Sequence, residues 1–217
     1  MTSLYSRSAV LIAVLSCIAP RASAATRTWT GTTSGLWNLA ANWGGSLPQA
    51  GDDLVFPAAA SNKTNTNDFP AGTGFNSITF TGNGYNLAGN SIALGAGGVT
   101  QNHGSAGENT IALNLTLAAT RPILFVNSPG GLRISVAISG SGGLTVNGSL
   151  TAQTSLYLDG ANSYSGGTAL NGLFVIVGHD SAFGTGAVTT NSNTTIVTNG
   201  HTVANAISIQ GFGIGNN

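Results

Sequence analysis

Residues 156–172 read Leu156-Tyr157-Leu158-Asp159-Gly160-Ala161-Asn162-Ser163-Tyr164-Ser165-Gly166-Gly167-Thr168-Ala169-Leu170-Asn171-Gly172. Leu156 and Leu158 stand two positions apart, which puts both side chains on one face of an extended chain. Gly160 and the Gly166-Gly167 pair then allow bends that a β-carbon would obstruct. Asn162 carries a donor and an acceptor for backbone at a corner, or for an Asn one turn away. Tyr164 reads as packed across the turn rather than as a ligand platform, and Thr168 follows the glycine pair. A further β-type run, Leu173–Val177, comes next. This is the texture of strand and corner, with no helical period.

The same texture extends outward. Runs such as Leu54–Phe56, Ser77–Phe80, Thr110–Leu117, Ile123–Val126, Leu132–Ile138, Leu144–Val146, Ala187–Thr190, Thr195–Val197 and Ile207–Ile209 are separated by Gly and Asn turns. Ile111, Leu113, Leu115 and Leu117 alternate strictly, as one buried face of a strand would. Short strands with such turns fit a sandwich of hairpins or a parallel β-helix. Composition decides between them. Only 6% of the 217 residues are charged, six basic and six acidic, while 32 are glycine. An average soluble domain is roughly 25% charged. A sandwich usually surfaces itself with Lys and Glu, whereas a solenoid turns Thr, Ser and Asn outward and uses glycine at every bend. The predicted fold is therefore all-β, a parallel β-helix (solenoid). The same counts exclude a helical bundle and a nucleic-acid binder, which needs a basic stripe.

The 156–172 segment resembles the autotransporter-associated β-strand repeat, an L-x-L-x-G-x-N-x-Y-x-G-G-T unit of bacterial surface and secreted passenger domains. The resemblance spans about 60 residues, 132–190, and departs at Thr154, where glycine is usual, and at Phe174. It implies a right-handed parallel β-helix, export, and a surface or extracellular role. It implies no chemistry.

Residues 1–24 read as a secretory signal. Arg7 is the basic start, Ala9–Ala19 the apolar run, and Ala22-Ser23-Ala24 an A-x-A site for cleavage before Ala25. The apolar run is shorter than the ~20 residues of a membrane span. Cys17, the one cysteine, offers a lesser alternative as a lipoprotein anchor. Cleavage after Ala24 leaves four cations, Arg27, Lys63, Arg121 and Arg133, against six acids, a net charge of −2.

All three tryptophans, Trp29, Trp37 and Trp43, fall in residues 25–70. This segment is expected to cap the first coil of a helix spanning 71–217, because an open solenoid end exposes backbone and apolar cross-section. A sugar-stacking platform, with Asp52 or Asp53 holding hydroxyls or calcium, is the competing reading.

Catalysis finds little footing. The acids Asp52, Asp53, Asp68, Glu108, Asp159 and Asp180 are scattered, and glycoside hydrolysis needs two carboxyl groups in one groove. Arg121 and Arg133 could approach on adjacent coils, but a lyase wants a larger basic cluster. His103, His179 and His201 lack metal spacing and read as surface residues. No cofactor is implied. The expectation is an exported scaffold acting as stalk or adhesin, with extracellular glycans or neighbouring surfaces as partners and end-to-end self-association. At about 20 residues and 4.8 Å per coil, seven or eight coils would make a rod of roughly 35–40 Å. A carbohydrate-binding module or a polysaccharide-degrading enzyme remains the alternative.

Overall fold

The computed structural model describes residues 24–148, 154–191 and 193–210. The expected signal segment, including Cys17, lies outside them apart from Ala24. Alternating aliphatic and small polar residues form short strands, and every pairing between strands is parallel. The chain is a parallel β-solenoid of about eight turns. One sheet stacks, in chain order, Thr26–Thr28, Asp53–Pro57, Thr73–Thr81, Ile92–Gln101, Arg121–Phe125, Leu144–Asn147, Thr168–Asn171, Val188–Thr190 and Ile207–Ile209. The second stacks Thr64–Asn67, Asn86–Gly89, Glu108–Ala112, Gly131–Ile134, Ser155–Leu158, Phe174–Val177 and Thr195–Val197. The short strands Leu115–Thr116 and Ile138–Ser139 extend the first sheet as a wing beside Ile92 and Ala93.

The two-residue period sets the register. In the first sheet Leu54, Ile78, Val99, Ile123, Val146 and Leu170 stand directly above one another. In the second, Leu132, Leu156, Val175 and Ile196 do the same, as do Leu87, Ile111, Ile134, Leu158 and Val177. All of these side chains are buried. Burying each one contributes about 1.5–3 kcal/mol relative to exposure. A slip of one residue would turn a whole column outward, so the register is strongly fixed.

The Thr110–Leu117 run does not form one strand. It bends between Ala112 and Leu115 and passes from the second sheet to the first. Leu113, Leu115 and Leu117 nevertheless stay buried, so the alternation continues around the corner.

At the N-terminal end the aliphatic columns give way to aromatic packing. Trp29 and Trp43 meet edge-on with ring centroids 5.0 Å apart, and Trp37 packs against Trp43, Phe56 and Phe75 at 5.7–6.0 Å. Within the same 25–70 stretch, Asp53–Pro57 and Thr64–Asn67 are already rungs of the two sheets. Among the described residues no helix is long and apolar enough to cross a membrane.

Candidate functional site

Each of the six carboxylates bonds to a group about one coil away. Asp52 accepts from the Ala25 N–H and from Arg27 Nε, both at 2.9 Å, and from the nearby Gln49 N–H. Asp53 accepts from Asn76 and Ser77, and Asp68 from the Asn38 N–H. Glu108 and Asp159 flank Arg133, which sits one coil from each and lies 4.2 Å over the Tyr157 ring. Asp180 pairs with His201 and accepts from the Thr202 N–H. The cations act likewise: Lys63 donates to the Asn83 carbonyl and Arg121 to the Leu94 carbonyl. No two acids face one another across an open groove through these contacts. Among the described residues no cluster of three or more His, Cys, Asp or Glu could hold a metal.

Asp52 is the most enclosed of these acids. Burial pushes its carboxyl up, but the Arg27 guanidinium and the Ala25 and Gln49 N–H groups together hold it below the usual value of 3.8. A depressed folded-state pKa adds stability above the unfolded value and loses it as pH falls through the folded one. Acid titration of unfolding is therefore expected to show a loss of stability below about pH 4 that Asp52→Asn shrinks. Superimposable wild-type and variant curves would contradict this.

Several expectations need correction. The three tryptophans are almost fully buried, at 0–4% exposure, so no indole face is open to stack on a sugar. Trp29, Trp37 and Trp43 donate their Nε1–H groups to Asn62, Asn65 and Trp37 backbone or side-chain oxygens, which ties them inward. Asp52 has both carboxylate oxygens engaged by protein groups, and Asp53 turns its Oδ1 away to Asn76 and Ser77. Arg121 lies on the first sheet and Arg133 on the second, so they form no basic pair.

His103 is buried rather than on the surface. Its Nε2 lies 3.0 Å from Gln101 Oε1 and 3.2 Å from Ser128 Oγ, and its Nδ1 lies 3.0 Å from the Ser105 carbonyl. Asn109 donates to both Gln101 and the Gly82 carbonyl. A Ser–His contact has the outline of a nucleophile and its base. Ser128 is completely buried, however, so no substrate reaches it, and the group is a polar lock at a corner. Sequence reading missed it because its members meet through the coil advance, with Ser128 lying 25 positions from His103.

The repeat segment forms a corner stapled to both neighbours. Asn162 accepts from the Ile138 N–H at 2.7 Å and donates to the Ala182 carbonyl at 2.6 Å. Tyr164 is buried with its hydroxyl 2.6 Å from Thr168 Oγ1. Burial raises the Tyr164 hydroxyl to about 12, against the opposing effect of the Thr168 bond. Asn162→Ala strands one buried N–H and one buried C=O, and is expected to cost about 2–4 kcal/mol in urea unfolding at unchanged m. A loss below about 0.5 kcal/mol would exclude the stapling role.

One concavity stands apart. A groove of about 650 Å³ is lined by Gly74, Phe75, Ala93, Leu94, Thr116 and Arg121, among others. It lies where the register shifts between Phe75 and Ser77, one residue on that coil matching Gly95-Ala96-Gly97 on the next. Its floor is the in-register column Gly74, Ala93 and Thr116. Its lining is mostly small or apolar, and Arg121 provides one cationic edge.

No family model, curated protein or solved structure matches this chain.

Proposed function

We propose that this protein is an exported β-helical scaffold, passenger-like, whose role is to hold and present a surface as a stalk or adhesin. One observation carries the reading: every carboxylate, and each of Arg27, Lys63, Arg121 and Arg133, joins one coil to a neighbouring coil. Charge here reinforces the stack instead of converging on a substrate. The Sec-type reading of residues 1–24 and the repeat-like segment at 156–172 support export. The test is fractionation of the full chain carrying a C-terminal tag in a bacterial host, with mass analysis of its N-terminus. Recovery outside the cytoplasm, starting at Ala25, supports the reading. Cytoplasmic protein with Met1 retained overturns it.

A second reading, a small binding module, is favoured only by the Arg121 groove. The groove has no exposed aromatic face, which suits an apolar body with an acidic group better than a glycan. Saturable binding of an apolar carboxylate, such as a medium-chain fatty acid, that Arg121→Ala abolishes would replace the scaffold reading with this one.

A further inference from the structure

The backbone nitrogen of Ala25 sits 2.9 Å from Asp52 Oδ1, and the other oxygen of that carboxylate takes Arg27 Nε and the Gln49 N–H. Asp52 is 4% exposed. Its position is fixed locally, because its own N–H donates to the Gln49 carbonyl in a tight turn. Ala25 is fixed too: its carbonyl accepts from the Asp53 N–H, and Thr26–Thr28 pair in register with Asp53–Val55. A buried carboxylate is thus aimed at one particular backbone nitrogen. The sequence independently marks that nitrogen, since Ala22-Ser23-Ala24 is a cleavage site whose product begins at Ala25.

We propose that Asp52 is the receptor for the α-ammonium of Ala25, released when residues 1–24 are removed, so that N-terminal processing completes the cap of the solenoid. The inference rests on the export reading above. Hydrolysis of the Ala24–Ala25 peptide adds water's hydroxyl to the Ala24 carbonyl and a proton to the Ala25 nitrogen. That nitrogen takes a second proton at neutral pH and becomes cationic, while the Asp53 N–H bond and the Thr26–Thr28 pairing hold Ala25 beside Asp52. The neutral N–H contact, part-buried, turns into a charge-assisted one, and such bonds are shorter and about twice as strong. The ionisable groups around it are Asp52 and Arg27. Asp53 is turned away toward Asn76 and Ser77, and Arg121 stands across the groove that Ala24 also lines. Two cations then share the one carboxylate, a stronger hold on the first strand than Arg27 alone provides.

The experiment compares two forms of the 25–217 chain, one with a free Ala25 and one N-terminally acetylated by a co-expressed acetyltransferase. Acetylation keeps one Ala25 N–H, as the uncleaved peptide does, and removes the charge with the other two. The free form is expected to melt about 5 °C higher at pH 7, and the gap to close in Asp52→Asn. The α-amino group, followed by NMR in the unsubstituted free chain, is expected to titrate above its ordinary range of about 7.7–8.0. With its folded pKa raised, the extra stability is full below that range and is lost as pH rises through the folded value. Equal melting of free and acetylated chains overturns the proposal. So does a gap that survives Asp52→Asn, or an α-amino group that titrates normally. The titration needs no variant, so a misfolded Asp52→Asn leaves the test intact. If the exported chain begins elsewhere than Ala25, the cleavage-site reading fails and the role of processing falls with it, whereas equal melting or a normal titration with a start at Ala25 overturns the Asp52 receptor alone.

Discussion

Gly160→Val is expected to cost about 3 kcal/mol, the upper end for overpacking, and to split the thermal transition in two. A β-carbon built at Gly160 would meet the Val136 carbonyl oxygen at 2.1 Å and the Val136 carbonyl carbon at 2.5 Å. Both are backbone atoms of the coil below, so no side chain can rotate out of the way. The coils on either side are bonded through the same corner: the Asp159 N–H donates to the Ile134 carbonyl and the Ser163 N–H to the Ile138 carbonyl. Relief therefore means prising two rungs apart. In a stack whose units touch only their neighbours, that damage separates the part before from the part after. The comparison variant is Gly44→Ala. Gly44 has a φ of 67° but nothing within 4 Å of a built β-carbon, so only left-handed strain opposes the change. That strain is worth about 1 kcal/mol. Far-UV circular dichroism melts of both variants check the pair. A Gly160→Val chain that melts once, within about 2 °C of wild type, would show that the corner has slack.

The same contrast explains what was legible in the sequence. Leu156 and Leu158 announce their strand because their inward side chains are aliphatic and their spacing is two. Gly160 and Gly166 announce corners because nothing larger fits against the preceding coil, where a β-carbon on Gly166 would meet the Gly142 carbonyl carbon at 2.5 Å. Thr64–Asn67 gives no such signal. Its inward residues are Asn65 and Asn67, both 1% exposed, and polar residues inside a rung look like loop in a single sequence. Asn67 is accommodated because it donates to the Asn90 carbonyl and accepts from the Phe69 N–H. Asn86–Gly89 was missed for a related reason, a single Leu87 between small residues being too short a pattern. The candidate sites were harder still. Whether a tryptophan covers a core or greets a sugar depends on which way the first coil folds over it. Whether His103 is wet or dry depends on Ser128, one full turn away. A coil advance that varies, with Leu54, Ile78, Val99 and Ile123 lying 24, 21 and 24 positions apart, hides such pairings from any fixed period.

Trp37→Ala is expected to destabilise the N-terminal coils by about 3–5 kcal/mol. The ring is fully buried and touches Trp43, Phe56 and Phe75, so its removal opens a cavity lined by aromatic rings that cannot collapse together. It also takes away the Nε1–H that Asn65 Oδ1 accepts at 2.8 Å. Asn65 Nδ2 already has no hydrogen-bond partner among the described residues, so the variant leaves that amide with neither end bonded. Trp37→Phe separates the two contributions. It keeps most of the ring volume and loses only the N–H, for an expected cost of about 1–3 kcal/mol. Hydrogen exchange locates the effect. Amides of Asp53–Pro57 and Thr73–Thr81 should lose protection in Trp37→Ala while those of Ser155–Leu158 and Phe174–Val177 keep theirs, since the distant coils share no contact with the ring. A glycan platform makes the opposite demand: an exposed indole can be cut back with little change in stability, and only binding falls. Trp37→Ala that melts with wild type would place the ring in solvent and return the sugar-stacking role to consideration. A loss of the size expected leaves Trp37 as the keystone of the first coil, against which Trp43 donates its own Nε1–H to the Trp37 carbonyl at 2.7 Å.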